Sequence, residues 1–152
     1  MLETPHVVIG AAIATAIPNP LISIPLAFAS HFILDKVPHW NPHLNTELNK
    51  YGKVTKKSTR IVIADVLLAL VLGFYIASLA LPDTAHTTTI LLACLASVLP
   101  DLIEIPYFFF NWKSEFIKKW ITFQKSIQVD ATPLPGLLTQ VITILAAFLW
   151  IR

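Results

Sequence analysis

Apolar residues occur in long runs separated by short polar breaks, and the runs have the length of helices. The first covers residues 7–17 and carries Gly10, Ala11, Ala12 and Ala14, small residues suited to close helix packing. Thr4-Pro5 ahead of it predicts an N-cap followed by proline in the first turn. Pro18-Asn19-Pro20 predicts a turn, and a second run covers 21–34 with Pro25 as a kink. Both runs fall short of the roughly 20 residues that cross a bilayer, and both are expected to span. A polar segment over 38–59 leads to a run over 61–81, interrupted only by Asp65. A turn at 82–86, a run over 87–110 and a last run over 137–151 follow. Segment 112–127 differs in kind. Phe116, Trp120, Phe123 and Ile127, joined by Ile117 and Ile121, form a stripe at helical spacing, with Lys113, Lys118, Lys119 and Lys125 off its centre. Such a helix lies in a membrane interface. The pattern predicts an all-α fold: a polytopic membrane bundle of about five apolar helices plus one interfacial amphipathic helix, a single integral membrane domain over 1–152.

Composition supports the membrane reading. Hydrophobic residues make up 55% of the chain and charged ones 13%, against about 25% charged in a soluble domain. So little polar surface does not cover a water-soluble globule. The single cysteine, Cys94, rules out an internal disulfide and reads as a packing residue. Residues 1–6 lack the basic region of a cleaved signal peptide and are expected to stay in the fold. Of eleven basic residues, Lys36, Lys50, Lys53, Lys56, Lys57 and Arg60 flank the polar loop, and four more belong to segment 112–127. The turns at 18–20 and 82–86 carry none. The positive-inside rule therefore places both basic segments in the cytoplasm and both turns outside an inner membrane.

With that topology, the polar residues of the apolar runs gather at one end. His31 and Asp35 are four apart and project from one helix face, roughly 40° apart. Pro38 disfavours helix at Val37 and predicts the helix end there, leaving His39 free to fold back. His6, Asp65, Asp101 and Glu104 are predicted at the same depth. A carboxylate at mid-span costs about 2.5–3.5 kcal/mol against about 0.3–0.6 gained per large apolar residue, so Asp101 and Glu104 are expected near the interface or neutralised, and two acids on one face suggest a cation partner. Pro100 is expected to kink their helix and open room beside Asp101. Simpler readings stand beside this one. Asp65 can pair with Arg60 or Lys57, and His31 with Asp35 can be an internal hydrogen-bonded pair. His43 reads as a loop residue and His86 as a turn residue on the opposite surface. Trp40, Trp112 and Trp120 fit an interfacial aromatic belt.

His6 in a small-residue helix, Ser30-His31 with Asp35 and Pro38, and Leu99-Pro100-Asp101 together resemble the membrane-bound metal-dependent hydrolases, the YdjM-like inner-membrane proteins. The site of that family is similar to zinc-dependent phospholipase C. The sequence departs from the pattern in having Ile103 two residues after Asp101 and no His-Arg-Gly-x-Thr-His segment. The resemblance implies a divalent metal, zinc or a similar ion, on His6, His31, Asp35 and Asp101, and hydrolysis of a phosphoester. Glu104, Asp65 or His39 would orient a ligand or act as general base. The implied partner is a membrane lipid at the cytoplasmic face, drawn by the basic helix, and not nucleic acid. Two other classes fit the residues: a small ion or proton transporter, and a non-catalytic scaffold with a structural metal or polar clamp. No chain of polar residues crosses the apolar runs, which weighs against transport.

Overall fold

A computed structural model describes residues 1–151. It is all-α among those residues. The helices are α1 (Glu3–Ala16), α2 (Pro20–Leu34), α3 (Leu44–Tyr51), α4 (Lys56–Ser78), α5 (Thr84–Leu102), α6 (Ile105–Phe109), α7 (Glu115–Ile127) and α8 (Pro133–Ile151).

Three of these, α4, α5 and α8, are long and apolar enough to cross a membrane. At 1.5 Å per residue they measure about 35, 28 and 28 Å, against a hydrocarbon core of about 30 Å. Their outward faces are apolar: Val71 is 64% exposed, Phe74 59% and Leu149 70%. Such surface suits hydrocarbon as the solvent. The expectation of five apolar spans resolves into these three and the shorter apolar α2. α1 has another role. Nine of its fourteen residues are buried, and it packs against α2, α4, α5 and α8, making it the interior helix of the bundle. Its small residues explain why. A Cβ on Gly10 would stand 2.8 Å from both Ala93 O and Ser97 Oγ, so α1 and α5 meet backbone to backbone.

Several boundaries differ from the sequence expectation. The N-cap position of α1 is Leu2, not Thr4, and no side chain of its own turn caps it. α2 ends at Leu34, three residues before the point that Pro38 suggested. The polar loop contains the short helix α3. The run over 87–110 is not one helix: α5 stops at Leu102 and α6 restarts at Ile105. Pro106 accounts for the break, since it has no N–H for the carbonyl of Leu102 and its ring would clash there.

The segment after α7 lies along the end of α2. Val129 N–H donates to Asp35 O at 3.0 Å, His39 N–H to Val129 O at 3.1 Å and Ala131 N–H to His39 O at 2.8 Å. Gly136, in the first turn of α8, abuts the same loop: a Cβ there would collide with the backbone N of Trp40. Two elements distant in sequence therefore hold the His39 backbone in place.

Candidate metal centre

The ends of α1, α2 and α5 bring four predicted residues to one buried point. His6, His31 and Asp35 are essentially inaccessible, and Asp101 is largely buried. The His6 and His31 rings stack with centroids 4.1 Å apart. His6 Nε2 lies 3.5 Å from Asp35 Oδ1, and His31 Nε2 lies 3.5 Å from both Asp35 Oδ2 and Asp101 Oδ1. His6, His31 and Asp101 each offer a ligand atom within 4.8 Å of the others. Two ligand atoms on a tetrahedral zinc, each about 2.05 Å from it, stand about 3.3 Å apart. The observed 3.5 Å contacts come close to that spacing.

The histidine tautomers suit a cation. His31 Nδ1 is 2.9 Å from Ser97 O, so Nδ1–H donates to that carbonyl and Nε2 is the ring nitrogen that would take a metal. Around Nε2 stand Gln124 Oε1 at 2.9 Å and the two carboxylates. Three oxygens around one ring nitrogen suit a positive charge there, carried by a metal ion or by a proton on Nε2 that Gln124 Oε1 accepts. His39 repeats the arrangement: Nδ1–H donates to Val37 O at 2.8 Å, while Nε2 is buried without a partner, 3.9 Å from Asp35 Oδ1. Burial and then the Met1 ammonium hold the His39 imidazole below its ordinary pKa, so it is neutral at neutral pH. His6 Nδ1 is likewise buried and unpartnered. The Met1 ammonium itself lies against Asp35, with His6 Nε2 3.3 Å away, which puts a positive group inside the cluster.

The other candidates take separate places. Glu104, just past the end of α5, accepts from Gln124 Nε2 at 2.8 Å. Burial, then the Asp101 carboxylate, push its pKa up to about 8, so it holds a proton at neutral pH. Asp65 does not join the cluster and does not pair with Arg60. Its oxygens accept from Glu3 N–H at 2.6 Å, Thr4 N–H at 3.3 Å and Thr4 Oγ1 at 2.6 Å, closing the first turn of α1. His43 lines the adjoining cleft, and His86 Nε2 meets Ala14 O at 3.0 Å at the far end of the bundle.

The sequence reading did not single out Gln124. It is buried on α7, and its amide contacts His31, Asp101, Glu104 and the Pro100 carbonyl. It follows Ile117 and Ile121 at i+7 and i+3, so a lone amide on the buried face of an amphipathic helix was the available signal. The outer face of α7 carries Phe116 and Phe123, 65% and 47% exposed. The stripe read as facing a membrane therefore divides, part turning to the cluster and part away.

A cleft of about 170 Å³ opens beside the cluster, lined by Glu3, Asp65, Asp101, Glu104, Gln124 and Lys125 among others. No protein-family model, curated protein or solved structure matches this chain. The site's own geometry therefore carries the functional reading.

Proposed function

We propose that this protein is an integral membrane metal-dependent hydrolase acting on a lipid phosphoester at the cytoplasmic face. One observation carries the reading: His6, His31, Asp35 and Asp101 converge at ligand spacing, with the His31 tautomer set by Ser97 O. These four would hold the divalent metal, and His39 Nε2, buried and unpartnered, is a fifth donor beside Asp35. A zinc-like ion so held supplies an activated water and polarises a phosphoryl oxygen. The chain's own groups supply the rest. Gln124 would hold Glu104 from α7 by donating to it, while Ser97 O orients His31. Glu104 carries a proton that it would give to the leaving oxygen as water adds to phosphorus and the P–O ester bond breaks, and it would regain one from the attacking water by way of the phosphate product. Lys125, on the cleft wall, attracts the phosphate.

The ammonium of Met1 against Asp35 favours a second reading, a non-catalytic polar clamp that ties α1 to α2. Elemental analysis of protein purified in mild detergent separates the two. The hydrolase reading expects about one equivalent of zinc or a similar metal in the parent, lost in both His31→Ala and Asp101→Asn. It also expects phosphoester hydrolysis that disappears with the metal. A parent protein without metal, or full occupancy in both variants, would overturn it. A metal-free parent would favour the clamp, and bound metal with no hydrolysis of any lipid phosphoester would favour a structural metal. Asp83→Ala, which removes the α5 N-cap at the far end, is the control and should leave metal content unchanged.

A further inference from the structure

A second cavity, of about 300 Å³, lies between α4 and α5 with α1 as its floor, and it is almost wholly apolar. Its walls run from Val66 to Phe74 on α4 and from Leu91 to Leu102 on α5. The eleven rises of 1.5 Å from Leu91 to Leu102 make a groove roughly 16 Å long, parallel to the helices. Both walls belong to helices long and apolar enough to cross a membrane. The slot reaches down to Val7 of α1 because the facing wall residues Ala69, Gly73 and Cys94 are small. A Cβ on Gly73 would already meet Val7 Cγ1 at 3.0 Å, so no larger residue fits without displacing α1. The rim residues Leu70 and Leu95 are half exposed.

The groove is continuous with the polar cleft. Glu3, Val66 and Leu102 line both. At that junction the Glu3 carboxyl lies against that of Asp101, and its buried Oε2 receives no donor from the protein, so a donor on a bound molecule is its natural complement. A long, narrow, apolar slot leading away from a buried polar cluster fits a molecule with one hydrocarbon chain and a polar head. The cluster takes the head, and the slot takes the chain. From this continuity we infer that the α4–α5 groove holds a single hydrocarbon chain of the lipid phosphoester, with a headgroup hydroxyl or amine at Glu3. The inference rests on the hydrolase reading for the identity of the head.

A monoacyl phosphoester with a diazirine midway along its chain, incorporated in phosphatidylcholine vesicles with the full chain, tests it. After irradiation, peptide mapping should recover adducts on Gly73, Cys94 and Leu95 several-fold above those on Leu138 and Leu145, which face outward on α8. Leu95→Trp fills the slot from the half-exposed rim, where a bulky residue is tolerated. It should lower labelling of Gly73 and Cys94 several-fold while metal content is retained, and Leu70→Trp should do the same from the opposite wall. Labelling no stronger in the groove than on α8, or unchanged in both tryptophan variants, would overturn the inference. Cross-links between two copies of the chain through this groove would do so as well. The outcome is separate from the metal assay: a metal-free parent refutes the hydrolase, whereas background labelling with metal bound refutes only the groove.

Discussion

At the scale of single residues, Asp65 shows how one carboxylate is claimed by structure. The first turn of α1 leaves its N–H groups without intrahelical partners, and no local side chain supplies one. Asp65 reaches across from α4 to accept from Glu3 and Thr4, and its negative charge also favours the positive end of the helix. This contact positions His6, one turn further along α1. Asp65→Ala should therefore lower stability by about 1–3 kcal/mol for each buried donor left stranded. Thermal melting in detergent would show this as a clear fall in midpoint, with a smaller fall for Asp65→Asn. A loss of hydrolysis in Asp65→Asn at unchanged melting would instead return Asp65 to the catalytic group. His31 with Asp35 was legible in the sequence because a four-residue spacing fixes a common helix face. Gln124 was not, because a neutral amide among lysines reads as part of a solvated face until α7 is seen to turn it inward.

At the scale of elements, two prolines bear on the end of α5. Pro100 was expected to open space beside Asp101. Its own carbonyl is free because α5 ends at Leu102, and it accepts Trp120 Nε1–H at 2.9 Å and Gln124 Nε2–H at 3.2 Å. Pro106 was passed over in the same apolar run, although it ends α5 at Leu102 and leaves Glu104 in the connection. Hydrophobicity alone hides a break of this kind, since every residue from Ile105 to Phe110 is apolar. The entry to α4 is an element of another sort. Glu47 of α3 accepts from Thr55 N–H at 2.8 Å, Thr55 Oγ1 at 3.1 Å and Ser58 Oγ at 2.7 Å, while Thr55 is the N-cap of α4. Partial burial raises the Glu47 pKa, but these bonds outweigh it and hold the carboxyl below its ordinary 4.5. A depressed folded pKa means stability that is fully present above the unfolded value and lost as pH falls through the folded one. Glu47→Gln should cost about 1 kcal/mol at neutral pH. The difference in melting temperature from the parent should shrink as pH falls below 4.5. A difference that stays constant down to strongly acidic pH would show that the carboxylate's charge contributes nothing to the α4 cap.

At the scale of the whole molecule, the site has a side. His6 at the start of α1, Asp35 at the end of α2 and Asp101 near the end of α5 meet at one end of the bundle, next to the basic loop between α2 and α4. The opposite end carries the 82–86 turn, where His86 meets the C-terminal end of α1. A basic loop is costly to move across a membrane and a neutral turn is not, so this end is predicted to face the cytoplasm and the 82–86 turn the outside. Single cysteines at Thr46 and Thr84, both exposed, test this in a Cys94→Ser background. The background change is mild, because Cys94 is a buried thiol whose one polar contact is a weak donation to Val7 O at 3.7 Å. In intact cells an impermeant maleimide should label position 84 strongly and position 46 only after the membrane is opened. Since His6, Asp35 and Asp101 share the end of the loop, the labelling also decides which leaflet supplies the phosphoester. Labelling at 46 with none at 84 would reverse the orientation, and the substrate would then come from the outer leaflet while the metal assay stood unchanged.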